Sequence, residues 1–160
     1  RLTALLILIQ KYKAANDKAR KTIFNLYLKH RKWINNWDLV DLSAPNIMGN
    51  YLLDKERAIL YKLAKSKSLW DKRIAILATF EFIKNGQAED TFRIAEILLN
   101  DKHDLIHKAV GWMLREVGKR IGRSTEETFL KKHHRQMPRT MLRYAIEHFT
   151  PSLKKKYMAK

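Results

Sequence analysis

A chain of 160 residues is the usual length of one domain and can bury a sizeable core. Hydrophobic residues make up 46%, which excludes a disordered polybasic tail, and the lack of cysteine excludes disulfides and thiolate zinc sites and fits a reducing compartment. Lys and Arg number 33 against 16 Asp and Glu, a formal charge of +17 that points to a polyanionic partner, most often nucleic acid. The basic residues run along the whole chain instead of gathering on one amphipathic segment, which argues against an anionic membrane.

Helix formers dominate, with only five Gly and three Pro, and no run alternates with period two for long enough to suggest a sheet. The opening Leu2-Thr3-Ala4-Leu5-Leu6-Ile7-Leu8-Ile9 is too short to span a bilayer and lacks the cleavage site of a signal peptide. It reads as a buried helix cut off upstream. With Arg1 in place of an initiator Met, the chain is expected to be the C-terminal portion of a longer protein. Helices are expected near 2–13, 17–31, 33–43, 54–65, 69–84, 88–100, 103–121, 125–135 and 138–149, with a last short one over 151–158. Pro45 and Gly49 are expected to break the chain after the third. Ser124-Thr125-Glu126-Glu127 reads as a capping box in which Ser124 caps an amide and Glu127 reaches back. Pro138 suits the first turn of its helix.

Within the third helix, Trp37 and Asp41 stand one turn apart, so an indole face and a carboxylate share one surface. The plainer reading makes Trp37 core and Asp41 a solvated residue. Further on, Arg73 borders the apolar face formed by Ile74, Leu77, Ala78 and Phe82, where it can project along a groove wall or form an ion pair with Asp71 or Glu81. Trp70 reads as core. Next come Lys108, Trp112, Arg115 and Lys119, at i, i+4, i+7 and i+11 on one helix stripe. Cations beside an indole can hold phosphates while the ring packs on a sugar or base, or they can be snorkelling cations around a core-edge Trp. Gly111 would let another backbone approach closely. His103-Asp104-Leu105-Ile106-His107 echoes the H-E-x-x-H zinc motif, but Asp replaces Glu and no third ligand is evident, so no metal is assigned. His133-His134 reads as an exposed basic patch. There is no Gly-rich phosphate loop, no G-x-S-x-G elbow and no thiol nucleophile.

Leu69-Trp70-Asp71-Lys72-Arg73-Ile74-Ala75 overlies Leu105-Ile106-His107-Lys108-Ala109-Val110-Gly111 at an offset of 36, with Leu63 over Leu99 and a fainter third copy near Arg139-Thr140-Met141-Leu142. A period of this size fits stacked helical hairpins, whose concave side is a groove for an extended partner, though spacing alone leaves an ordinary helical bundle open.

Four blocks in order carry a resemblance that spacing does not. They are Asn36-Trp37-Asp38-Leu39-Val40-Asp41, Leu69 to Ala75, His103 to Glu116, and Met137 to Glu147. Together they resemble the AlkD-type DNA alkylation repair glycosylases, from about Arg1 to about Phe149. The resemblance implies an all-α, single-domain HEAT-like solenoid, a right-handed superhelix of antiparallel helix pairs. It implies hydrolysis of the N-glycosidic bond of N3- and N7-alkylated purines in duplex DNA, without metal or cofactor and without extrusion of the base into a deep pocket. By the same resemblance, Trp37, Asp41, Arg73 and Trp112 would line the lesion-facing surface, with Asp41 stabilising the cationic sugar and Arg73 holding a phosphate. Arg115, Lys108 and Lys119 would contact DNA. The expected protein is a monomer in the bacterial cytoplasm, acting on the nucleoid. Family members carry roughly two further repeats before the segment that begins at Arg1, which bears on affinity more than on chemistry. Two other readings remain: a non-catalytic HEAT-like module that binds DNA, and a helical scaffold for an acidic protein partner.

Overall fold

The computed structural model describes residues 1–159, and among them every regular element is helical. Eleven α-helices follow in chain order: α1 Leu2–Ala14, α2 Asp17–His30, α3 Trp37–Ser43, α4 Asn50–Leu52, α5 Ala58–Ala64, α6 Leu69–Lys84, α7 Glu89–Leu98, α8 Asp104–Arg120, α9 Arg123–His133, α10 Arg139–Ala145 and α11 Pro151–Met158. Short 3₁₀ turns cover Arg31–Trp33 and Ile146–His148. Side chains that accept a first-turn amide set several starts. Asn16 caps α2, Ser68 caps α6 and Thr150 caps α11.

The helices stack in two rows. One row runs from α3 through α6 and α8 to α10, each packed on the next. The other carries α5 against α7, and Phe92 stacks on Phe129 to join α7 to α9. Helices α6, α8 and α10 begin at residues 69, 104 and 139, a step of 35. The sequence repeat is therefore a repeat of structure, with Leu63 and Leu99 both buried. Helix α6 occupies the centre. Ile74 to Ala78 and Phe82 are fully buried, so it is enclosed on nearly all sides and its amphipathic stripe is lost.

Four local expectations are corrected. The chain does not break at Pro45. A π-helical segment, Ala44–Gly49, carries α3 directly into α4. Proline cannot donate to the carbonyl of Asp41 and its ring crowds that group, and the wider π turn relieves the conflict without ending the helix. The third helix starts at Trp37, not at 33, because the Asn36 side chain accepts the Trp37 amide at 2.7 Å. Helix α9 starts at Arg123 after Gly122, so Ser124 lies inside the first turn and no side-chain capping bond forms. The α1 helix is not enclosed either. Leu5, Ile9 and Tyr12 are buried, but Leu2, Leu6 and Ile7 face solvent, because no described element packs on that side.

Two glycines set the spacing of the row. A Cβ on Gly49 would collide with the Ala78 carbonyl oxygen and lie 2.9 Å from Glu81 Cβ, so the segment following α3 sits tightly on α6. A Cβ on Gly111 would collide with the Met141 carbonyl oxygen and lie 2.6 Å from Tyr144 Cβ, so α8 meets α10 backbone to backbone, as the sequence suggested. Gly111→Ala is therefore expected to destabilise by about 1–3 kcal/mol through overpacking. At about 2–4 °C per kcal/mol for a chain of this size, a thermal melt reads it directly. A parental melting temperature would mean that the two helices separate without cost.

Candidate functional site

The stacking of α3, α6 and α8 brings Asp41, Arg73 and Leu105 together. Arg73 is only 5% exposed, a burial that an Arg tolerates only when its donors are matched. Its Nε and Nη2 donate to the two oxygens of the Asp41 carboxylate, each at 2.8 Å, and its Nη1 donates to the Leu105 carbonyl at 2.5 Å. The Asp41 side chain keeps 18% of its exposure. This is a bidentate, charge-assisted pair that ties three successive helices of the row. The sequence expectation for Arg73 needs correction here. The guanidinium is spent on protein partners and is not presented to a phosphate, and its acid is Asp41, not Asp71 or Glu81. Asp71 pairs instead with Arg31 at 3.0 Å.

Above this pair lies an open cleft of about 340 Å³ lined by Trp37, Arg73, Leu105, Lys108, Trp112, Arg115 and Tyr144. Trp37 is 55% exposed, an unusual exposure for so large an apolar ring and not that of a core residue. Trp112 is half-buried. Its indole N–H donates to Glu116 at 3.3 Å and its ring lies against Phe80. Lys108 reaches Asp104 at 2.7 Å, and that carboxylate raises its pKa above the usual lysine range. Arg115 pairs with Glu147 across to the turn after α10. Its Nε remains buried without a partner among the described residues.

The cleft thus collects Trp37, Arg73, Lys108, Trp112 and Arg115, with Asp41 bound to Arg73. Lys119 lies outside it, on a neighbouring cleft that shares Arg115. Tyr144 was not anticipated. Its position follows from the close approach of α10 at Gly111, and its only sequence signal is its place in the fourth block. Leu105 and Trp112 face the cleft, while Ile106, Ala109, Val110, Met113 and Leu114 fill the core. Trp70 is half-buried against the core.

The two histidines of the zinc-like motif are otherwise engaged. His103 Nδ1 accepts the Leu105 amide at 3.2 Å as a helix cap, and His107 Nε2 lies 2.5 Å from the Asp101 carbonyl. Among the described residues no group of three or more His, Cys, Asp or Glu is placed to hold a metal. His133 is not an exposed patch. It is half-buried, lies against Phe129 and meets Glu96 at 3.0 Å. Among the described residues no helix is long and apolar enough to cross a membrane.

Stacked helices with a cleft that gathers cations, two indoles and a carboxylate–guanidinium pair define a helical-repeat protein. The chain belongs to the DNA alkylation repair enzyme family, whose model matches residues 1–149. That membership makes it an enzyme of DNA alkylation repair. Among curated proteins, no match is found.

Proposed function

We propose that this chain is a DNA glycosylase that hydrolyses the N-glycosidic bond of N3- or N7-alkylated purines in duplex DNA. The observation that carries the reading is the Asp41 carboxylate, held in a fixed orientation by a buried Arg73 that itself lines a cationic, indole-lined cleft. A surface that only binds a polyanion has no use for a carboxylate there.

The chemistry fits a site without an obvious general acid. Alkylation at N3 or N7 gives the purine a positive charge, so the base leaves without being protonated. The C1′–N bond breaks, its electron pair passes to the purine and neutralises it, and positive charge grows on the sugar as an oxocarbenium ion. Asp41 stabilises that cation and positions the attacking water, whose proton goes to solvent as the C1′–O bond forms. The indole faces of Trp37 and Trp112 pack on the sugar and favour the same charge. Arg73 acts through Asp41. It fixes both carboxylate oxygens, so no reorganisation is needed as charge develops. Lys108 and Arg115 hold the flanking phosphates.

One observation favours the non-catalytic binding module: Asp41 is already neutralised by Arg73, as a purely structural brace would be. Duplexes carrying one 7-methylguanine or one neutral hypoxanthine separate the two readings. A glycosylase of this design releases the cationic base and spares the neutral one. A binding module releases neither while still retaining both duplexes in a salt-sensitive complex.

Lys108 also yields a prediction on binding. Its side chain lines the cleft and keeps 40% of its exposure, so Lys108→Ala should make the slope of log K against log salt shallower by about 0.9, the effect of one phosphate contact. Fluorescence anisotropy across a salt series reads this, and an unchanged slope removes Lys108 from the DNA contacts.

A further inference from the structure

A second cleft of about 200 Å³ lies beside the first, between α8, α9 and the turn after α10. Its walls carry four basic residues, Arg115, Lys119, Arg123 and His148, with Glu126 beneath them. Lys119, Arg123 and His148 are exposed, whereas Glu126 is only 2% exposed. Two buried polar atoms of these wall residues lack any partner among the described residues: Nε of Arg115 and Oε1 of Glu126. Orphaned buried polar atoms are rare and costly, and two lining one cationic cleft ask for an explanation.

We propose that this cleft is a phosphate subsite for the DNA backbone and that the proton on Glu126 sets its charge. The proposal rests on the main cleft facing DNA, because Arg115 lines both clefts and a phosphate held here would flank the nucleotide whose sugar packs on Trp37. With Glu126 neutral, Lys119 and His148 meet a phosphodiester beside two guanidiniums, Arg115 and Arg123, that are paired with Glu147 and Glu127. Once ionised, Glu126 places a carboxylate beneath those cations and competes for them.

Burial is the main force on Glu126, and the neighbouring Glu127 adds to it, against the pull of Arg115. Together they push its pKa up to about 8. The charged and titratable groups around it are Arg115 and Lys119 on α8, Arg123 and Glu127 on α9, His148 on the turn after α10, and Tyr157 on α11. Glu116 and Glu147 hold the terminal nitrogens of Arg115. The sign follows. Glu126 keeps its proton below about pH 8 and loses it above, so affinity for DNA falls as pH rises through that value.

The test uses equilibrium binding of an undamaged duplex to the parent, to Glu126→Gln, and to the double variant Lys119→Gln with Arg123→Gln. Both residues of the double variant are exposed, and Gln keeps part of their length, so the fold should survive. A thermal melt checks that it does. The parent is expected to lose affinity several-fold between pH 7 and 9, and Glu126→Gln should remove that step while keeping the affinity seen at pH 7. The double variant should bind about tenfold more weakly at moderate salt, with a slope shallower by about two. A double variant with the parental slope, or a Glu126→Gln protein with the parental pH step, overturns the proposal. Inorganic phosphate, titrated alone and followed by ³¹P NMR, separates the sources. If it binds the parent while the double variant keeps the parental DNA slope, the cleft takes free phosphate and the DNA subsite is refuted. All these readouts are of binding. A chain that releases no base would sink the glycosylase reading and leave this test intact.

Discussion

Replacing Asp41 with Asn should slow base release about 100- to 1,000-fold, equivalent to about 2.7–4 kcal/mol of transition-state stabilisation, the usual effect of removing one preorganised electrostatic group. Geometry gives a reason to expect the upper part of that range. In the parent, the Arg73 guanidinium is matched by the carboxylate that it grips at 2.8 Å on each side. In Asp41→Asn the amide still accepts one of those bonds, but the positive charge of Arg73 is no longer compensated. A buried cation then faces the sugar at the stage when the sugar itself becomes cationic. The substitution both removes a stabilising charge and uncovers an opposing one. Affinity for DNA should hardly change, because Asp41 makes no contact that a phosphate would need. Single-turnover release with anisotropy on the same preparation reads both quantities. Equal release rates for variant and parent would end the role given to Asp41.

The second large effect is on the pair's other member. Arg73→Ala leaves the Asp41 carboxylate without its partner in a mostly enclosed position and strands the Leu105 carbonyl. Breaking one side of a buried pair typically costs about 3–5 kcal/mol. For a chain of this size that is a fall of roughly 6–20 °C in melting temperature. Base release should fall as well, since Asp41 loses its orientation. Arg73→Lys should land between parent and Ala, because an ammonium keeps the charge but not the planar fork that matches both oxygens. The salt slope of DNA binding separates this account from one in which Arg73 holds a phosphate. It should stay parental in Arg73→Ala, measured well below the variant's melting temperature. A slope shallower by about one with stability intact would return Arg73 to the DNA backbone.

Most of the architecture was legible because it rests on local patterns. The scarcity of Gly and Pro, the 3.6-residue apolar spacing and the approximate repeat each point to stacked helices, and every regular element among the described residues is helical. Site membership was legible for a different reason. Trp37 and Asp41 are neighbours on one turn, and Lys108, Trp112 and Arg115 share one stripe, so helix geometry alone groups them. The pairing of Asp41 with Arg73 was not legible, because those residues are 32 apart in sequence and meet only when α3 stacks on α6. Tyr144 was missed for the same reason. It enters the cleft because Gly111 lets α10 come close, a tertiary event with no local pattern. Pro45 misled in the opposite direction. It looks like a helix breaker, but packing against α6 holds the chain helical and the conflict is absorbed in a wider turn. Lys119 lay on the correct stripe, yet at i+11 it reaches past the first cleft into the second.

In the proposed reaction, a carboxylate braced by a buried guanidinium promotes cleavage of the glycosidic bond of a cationic purine. The most direct measurement is mass spectrometry of free 3-methyladenine and 7-methylguanine, released from methylated duplex DNA by the parent and by Asp41→Asn at equal DNA occupancy. Both bases are expected from the parent, with a loss of at least a hundredfold in the variant. Salt-sensitive DNA binding by the parent without release of either base would contradict the proposed reaction.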